Sequence, residues 1–143
     1  MTSELRVDNL KGSTTGGSIN VLGEGTSATT NLQQGLCKGW CNFDGTGTAT
    51  FRDTFNFASL TDQGTGQYDL NFTNNMANTN YNWNGFQRSN HPTQGIATPG
   101  TDTPTNQIHD HKIFVQAFDS LQDLNLAGGS LFGDLAKRQL KLK

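Results

Sequence analysis

The chain is short of charge and of large apolar side chains: of 143 residues, 15% are charged and 32% apolar. Neither sign of charge dominates. The formal net charge of −2 gives no electrostatic footprint for nucleic acid or for an anionic membrane surface. No apolar run approaches the roughly 20 residues of a membrane span, and the opening MTSELRVDNLKGSTTGG lacks the basic and apolar regions of a signal peptide. The expectation is a chain made and kept soluble, with neither nucleic acid nor an inserted membrane as partner. Its apolar content is thin for one domain of this length. Because ordering an unpacked chain costs about 1–2 kcal/mol per residue, a thin core points to an extended arm, to burial completed against another subunit, or to both.

Cysteine is scarce too, with only Cys37 and Cys41, in LCKGWCNF. In a strand they would share a face about 13 Å apart at ~3.3 Å per residue, beyond the ~7 Å limit for a disulfide. Zinc ligand pairs usually flank a turn, not a Trp-centred strand. Free buried thiols, acting as small apolar side chains, are expected. Nucleotide and hydrolase signatures are missing. There is no GxxxxGK[ST], no GxGxxG between a strand and a helix and no Ser in GxSxG, and SNH at 89–91 lies in a loop with no packed shell to orient a triad. No enzyme is expected.

What the chain does have is Gly, Thr and Asn, together roughly a third of the residues, a mixture seen where short strands meet at turns. From 36 to 86 the stretches LCKGWCNF, GTATFRDTFNFASL, GQYDLNFT and NYNWNGF are of strand length and rich in aromatic and β-branched residues. DGTG, TDQGTG and NNMANT separate them. Those separators are turn chemistry, since Gly reaches positive φ freely and Asp or Asn caps a turn through its side chain. The acids Asp44, Asp53, Asp62, Asp69, Asp119, Asp123 and Asp134 are accordingly read as mostly turn-capping groups and not as a glycosidase pair.

Residues 87–107 hold all three prolines and read as a long surface loop. HKIFVQAFDS and DLNLAGGSLFGD then supply the last strands. A helix is allowed only in 135–143, whose leucines do not share one helical face. The chain is therefore predicted to be all-β, an antiparallel β-sandwich or small barrel over 36–134. An extended N-terminal arm with one or two short strands precedes it at 1–35, and a short basic C-terminal tail follows at 135–143.

The block KGWCNFDGTGTATFRDTFNFASLTDQGTGQYDLNFTNNMANTNYNW, with LFGD at 131–134 and the opening SELRVDNLKG, resembles a small β domain of virion structural and tail-fibre proteins of tailed phages, chiefly marine and cyanobacterial ones. Cys37, Gly39 and Cys41 stand where such sequences more usually carry Ala, Ala and Val, which suits small buried side chains. The resemblance implies a non-enzymatic component of the particle exterior, made in the host cytoplasm, whose partners are other virion proteins and a host surface glycan. A homo-oligomer, with a trimer as the expected state, follows from the thin core.

The tail-fibre or host-recognition appendage is the leading reading. Tyr81, Trp83, Phe86 and His91 are its expected contacts with the host. A capsid decoration protein is the alternative, gripping the lattice through its arm or through Lys137, Arg138, Lys141 and Lys143. A carbohydrate-binding module, stacking a sugar on Trp40 or Trp83, is the third reading, although a strand Trp such as Trp40 is expected to pack inside. No cofactor is expected apart from a divalent metal at a trimer axis. His109 and His111 in IHDHK would share a strand face there, as in the His-x-His needle tips of some long tail fibres; the opposing reading is a pair of exposed strand-edge histidines.

Overall fold

The structure is a computed structural model that describes residues 4–23, 28–87, 96–99, 110–117 and 120–136, with the side chains of 96–99, 110–117 and 120 left aside. The chain divides into two compact units, Met1–Leu36 and Cys37–Lys143.

The first unit holds an antiparallel pair, β1 (Asn20–Leu22) with β2 (Thr29–Asn31), followed by one short helix, α1 (Leu32–Gly35). Asn31 builds the junction: its Oδ1 accepts the amide of Gln34 and its Nδ2 donates to the carbonyl of Gly17 at 2.8 Å, a helix N-cap tied to the loop before it. The helix was not foreseen from the sequence. No described residue of this unit is buried, and Leu5, Val7, Leu10, Val21, Leu22 and Leu36 are all exposed.

The second unit is all-β. One sheet has four strands in the order β4 (Thr50–Phe55), β3 (Gly39–Asp44), β11 (Ala127–Phe132) and β7 (Asn82–Gln87). The other has five: β10 (Ser120–Leu121), β9 (Asp110–Ala117), β6 (Gln67–Phe72) and β5 (Phe57–Gly64), with β8 (Ile96–Pro99) also on β9. Every pairing is antiparallel. The sheets pack face to face through aromatic side chains from both layers. Phe43 meets Tyr68 edge-on with centroids 5.0 Å apart, and Phe57 stacks on Phe72 at 5.1 Å and meets Trp83 edge-on at 6.1 Å. Such pairs contribute about 0.5–1.5 kcal/mol each beyond the area they bury. Cys41, Leu70, Met76, Ala127 and Leu131 complete the core. This is an antiparallel sandwich, and among the described residues the sheets do not close into a barrel.

Several boundaries differ from the sequence reading. The stretch GTATFRDTFNFASL is not one strand: the chain leaves the four-stranded sheet at Phe55 and enters the other at Phe57. Asn56 makes that step at φ 65°, a left-handed conformation that Asn tolerates better than most residues. β5 then runs on through TDQG, so four of the six residues of that separator are strand. Within the span read as a loop, Ile96–Pro99 forms β8 on β9, and Pro99 stands at its last position, where a missing amide costs least. Met76, in the polar separator NNMANT, is fully buried and bridges to Leu135.

Candidate functional site

Turn chemistry accounts for the repeated Gly-Thr-Gly segments. Asp44 Oδ1 accepts the amide of Thr46 at 3.0 Å and its hydroxyl at 2.6 Å, while Arg52 donates to Oδ2 at 2.7 Å. The two Thr46 hydrogen bonds, then the Arg52 charge, hold this carboxyl below the usual Asp range. Asp62 caps its own turn by accepting the amide of Gly64 at 2.9 Å. Asp123 accepts the amide of Gly66 at 2.8 Å and the hydroxyl proton of Tyr68 at 2.7 Å. Tyr68 is fully buried, and burial, with the adjacent Asp123, keeps its hydroxyl far above the ordinary range. Asp53 and Asp69 depart from the turn reading, for they lie within β4 and β6. Asp69 is buried and accepts a hydrogen bond from Gln63 at 2.6 Å.

The sequence-predicted contacts do not come together. Trp83 is 9% exposed and points into the core; it packs on Phe57, and Gly129 on the neighbouring strand leaves room for its ring. Tyr81 packs edge-on against Phe72 at 6.1 Å, and burial raises the pKa of its hydroxyl. Trp83 faces inward because β7 places it opposite Leu131, its buried partner; Tyr81, just before β7, is half-buried. Phe86, on the opposite face of β7, is 45% exposed. His91, His109, Lys137, Arg138, Lys141 and Lys143 lie outside the described residues, as does the side chain of His111, whose backbone pairs with Leu70. Among the described residues no group of three or more His, Cys, Asp or Glu gathers for a metal, and no helix is long and apolar enough to cross a membrane.

What the fold does assemble is the outer face of the four-stranded sheet. In β3, Gly39, Cys41 and Phe43 are buried while Trp40, Asn42 and Asp44 face outward. Trp40 is 38% exposed, contrary to the expectation that it packs inside. Its cross-strand partner on β4 is Phe55, 51% exposed, and its partner on β11 is Ser130. The next row reads Asp53, Asn42, Gly128, Phe86 across the four strands. A bulge between Asn42 and Phe43 makes this possible: Phe51 pairs with Phe43 at the core, and the extra residue brings both Arg52 and Asp53 to solvent. Gly128 lets the Phe86 ring lie close over β11: Gly128 is buried, and a Cβ there would stand 3.0 Å from Phe86 Cζ and against the carbonyl oxygen of Cys41. Asn42 Oδ1 is covered and accepts no hydrogen bond among the described residues.

Three aromatic rings at the surface of this sheet, among amides, a hydroxyl and a carboxylate, form a surface suited to stacking and hydrogen bonding. Sequence reasoning named Trp40 only in its third reading and expected it inside, because Cys41 and Phe43 make the other face of its strand apolar too; it passed over Phe55, which period-2 spacing puts on the same face as Phe51 until the bulge separates them. The available signal was Asn42 and Asp44, which share the Trp40 side of the period-2 pattern.

The thiols are both free. Burial pushes Cys41 up to about 12, while Cys37 is half-buried with Sγ 3.0 Å from the Gly39 carbonyl. A disulfide reagent at pH 8 is therefore expected to label Cys37 in the native protein, and Cys41 only on unfolding. Equal labelling rates for both would show that the core opens at Cys41.

Comparisons with protein-family models, with curated proteins and with solved structures found no match to this chain.

Proposed function

We propose that this chain is a non-enzymatic structural protein of the exterior of a tailed-phage particle, of the tail-fibre or host-recognition type. In this reading the sandwich is the recognition body and residues 1–36 are the attachment arm. The observation that carries it is the state of the arm. Six apolar side chains from Leu5 to Leu36 are exposed, and nothing described in that unit is buried. At roughly 1.5–3 kcal/mol for each such side chain taken out of water, a neighbouring subunit that covers them contributes more than the chain can supply by itself. The β1–β2 pair offers open edges, so strand addition provides backbone hydrogen bonds without a preformed pocket. The resemblance of residues 38–83 to virion proteins supports the setting, and a homotrimer is the assembly proposed for the body.

The test is to delete residues 2–20 and follow incorporation into particles by antibody labelling in the electron microscope. The truncated protein is expected to keep the circular dichroism of the β domain and to be lost from particles, with the full chain labelled on tails. Label on heads makes it a capsid decoration protein instead. Normal incorporation of the truncation would show that the sandwich makes the attachment.

A further inference from the structure

We propose that the outer face of the four-stranded sheet binds a neutral glycan, with Trp40, Phe55 and Phe86 as stacking platforms and Asn42, Asp53 and Asn84 as hydrogen-bonding groups. This deepens the recognition half of the reading above, and it rests on the face itself and not on where the chain sits in a particle.

Chemistry selects the occupant. A pyranose presents C–H groups on its faces and hydroxyls around its rim, so it is matched by exposed aromatic faces ringed with amide and carboxylate groups. The strand positions that face outward here carry aromatics, Asn, Asp, Arg, Ser, Thr and Gly, with no Leu, Ile or Val among them. A protein partner's core would be expected to meet aliphatic side chains as well. The one cation on this face, Arg52, is engaged by Asp44 and by the Asn125 carbonyl. That leaves Asp53 without a countercharge among the described ion pairs, which disfavours phosphate, sulfate or a carboxylated sugar and favours a neutral one.

Size points the same way. Four strands at about 4.8 Å spacing, over the exposed rows, give a footprint of roughly 250 Å², against the ~800 Å² per partner of a stable protein interface. Phe86 lies two strands from Asn42, about 10 Å across the sheet, which suits a short oligosaccharide lying from the Trp40 and Asn42 side to the Phe86 ring. The uncompensated Oδ1 of Asn42 supplies an acceptor that a sugar hydroxyl satisfies once the amide turns outward.

The experiment uses the full chain and a panel of neutral glucose, galactose and mannose tetrasaccharides. Of its two tryptophans, Trp40 is 38% exposed and Trp83 9%, so acrylamide quenching of fluorescence reports on Trp40. At least one sugar is expected to protect it in a saturable way. By calorimetry, Trp40→Ala, Phe55→Ala and Phe86→Ala are each expected to weaken that binding about threefold to tenfold, the range of one aromatic contact. Asn80→Ala, outside the face, should bind as the parent does. Phe86→Ala lies on a different strand and carries the test should Trp40→Ala fail to fold. The proposal is overturned if no sugar in the panel protects Trp40, if the three variants bind as tightly as the parent, or if Trp40 is shielded without sugar and exposed on dilution, the sign of a second copy on this face.

Discussion

Gly129→Ala is expected to lower the stability of the sandwich by about 3 kcal/mol, the upper part of the range for overpacking a well-filled core, and to lower Tm by roughly 10 °C. At this inward position on β11 a Cβ would collide with the indole of Trp83 and stand 2.6 Å from the Asn84 carbonyl oxygen. A ring can turn away; a strand carbonyl held in the ladder cannot do so without disturbing the pairing of β11 with β7. Gly128→Ala should cost at least as much, since its Cβ would meet the carbonyl oxygen of Cys41 on the other neighbouring strand. Gly35→Ala, where nothing lies within 4 Å, is the control and should change stability by less than about 0.5 kcal/mol. Urea denaturation checks all three. Equal effects at positions 129 and 35 would show that β11 is not in close contact with Trp83 and its neighbours.

Asn56→Ala is expected to be comparably damaging, by about 3 kcal/mol, through the loss of a specific hydrogen-bonding group at the one step linking β4 to β5. Its Nδ2 donates to the Lys38 carbonyl at 2.8 Å and to the Asn74 carbonyl at 3.1 Å, and its Oδ1 accepts the Asn74 amide at 2.8 Å. Each such bond is worth about 1 kcal/mol, with a further penalty where a buried partner is left unsatisfied. Alanine at φ 65° adds about 1 kcal/mol of backbone strain. Asn56→Gly separates the two contributions, because glycine accepts that φ without cost yet makes none of the side-chain bonds. It should recover about 1 kcal/mol relative to alanine and no more. If alanine is tolerated within 0.5 kcal/mol, the crossing between sheets is held by the strands and not by Asn56.

Both positions show what kind of information each level of organisation carries. Strand existence was legible because it depends on nearest neighbours. The alternation in GWCNFD and QYDLNF, and the capping of DGTG and DQGTG by Asp44 and Asp62, follow from the period-2 geometry of a strand and from side chains reaching their own backbone. Those effects act within a few residues of chain.

The choice of face belonged to the tertiary structure. Alternation separates a strand into two sets of residues, and it does not say which set is inward when both hold large apolar side chains. Trp40 and Trp83 stand in strands that look alike. Cys41 and Phe43 complement the opposite sheet, through the contact of Phe43 with Tyr68, and this turns Trp40 outward. The gap left by Gly129 admits Trp83. Single-residue events then reassign whole segments: the bulge at Asn42/Phe43 brings Asp53 to the outer face, and Asn56 moves the chain from one sheet to the other. Met76 in a polar separator and Ile96–Pro99 in a presumed loop were set in the same way, by partners far along the chain. The sequence by itself determined that the protein is built of antiparallel strands with capped turns, because those are local consequences of backbone geometry. Which aromatics pack and which remain on the surface was decided only when the two sheets met, because burial is a property of contacts between distant residues.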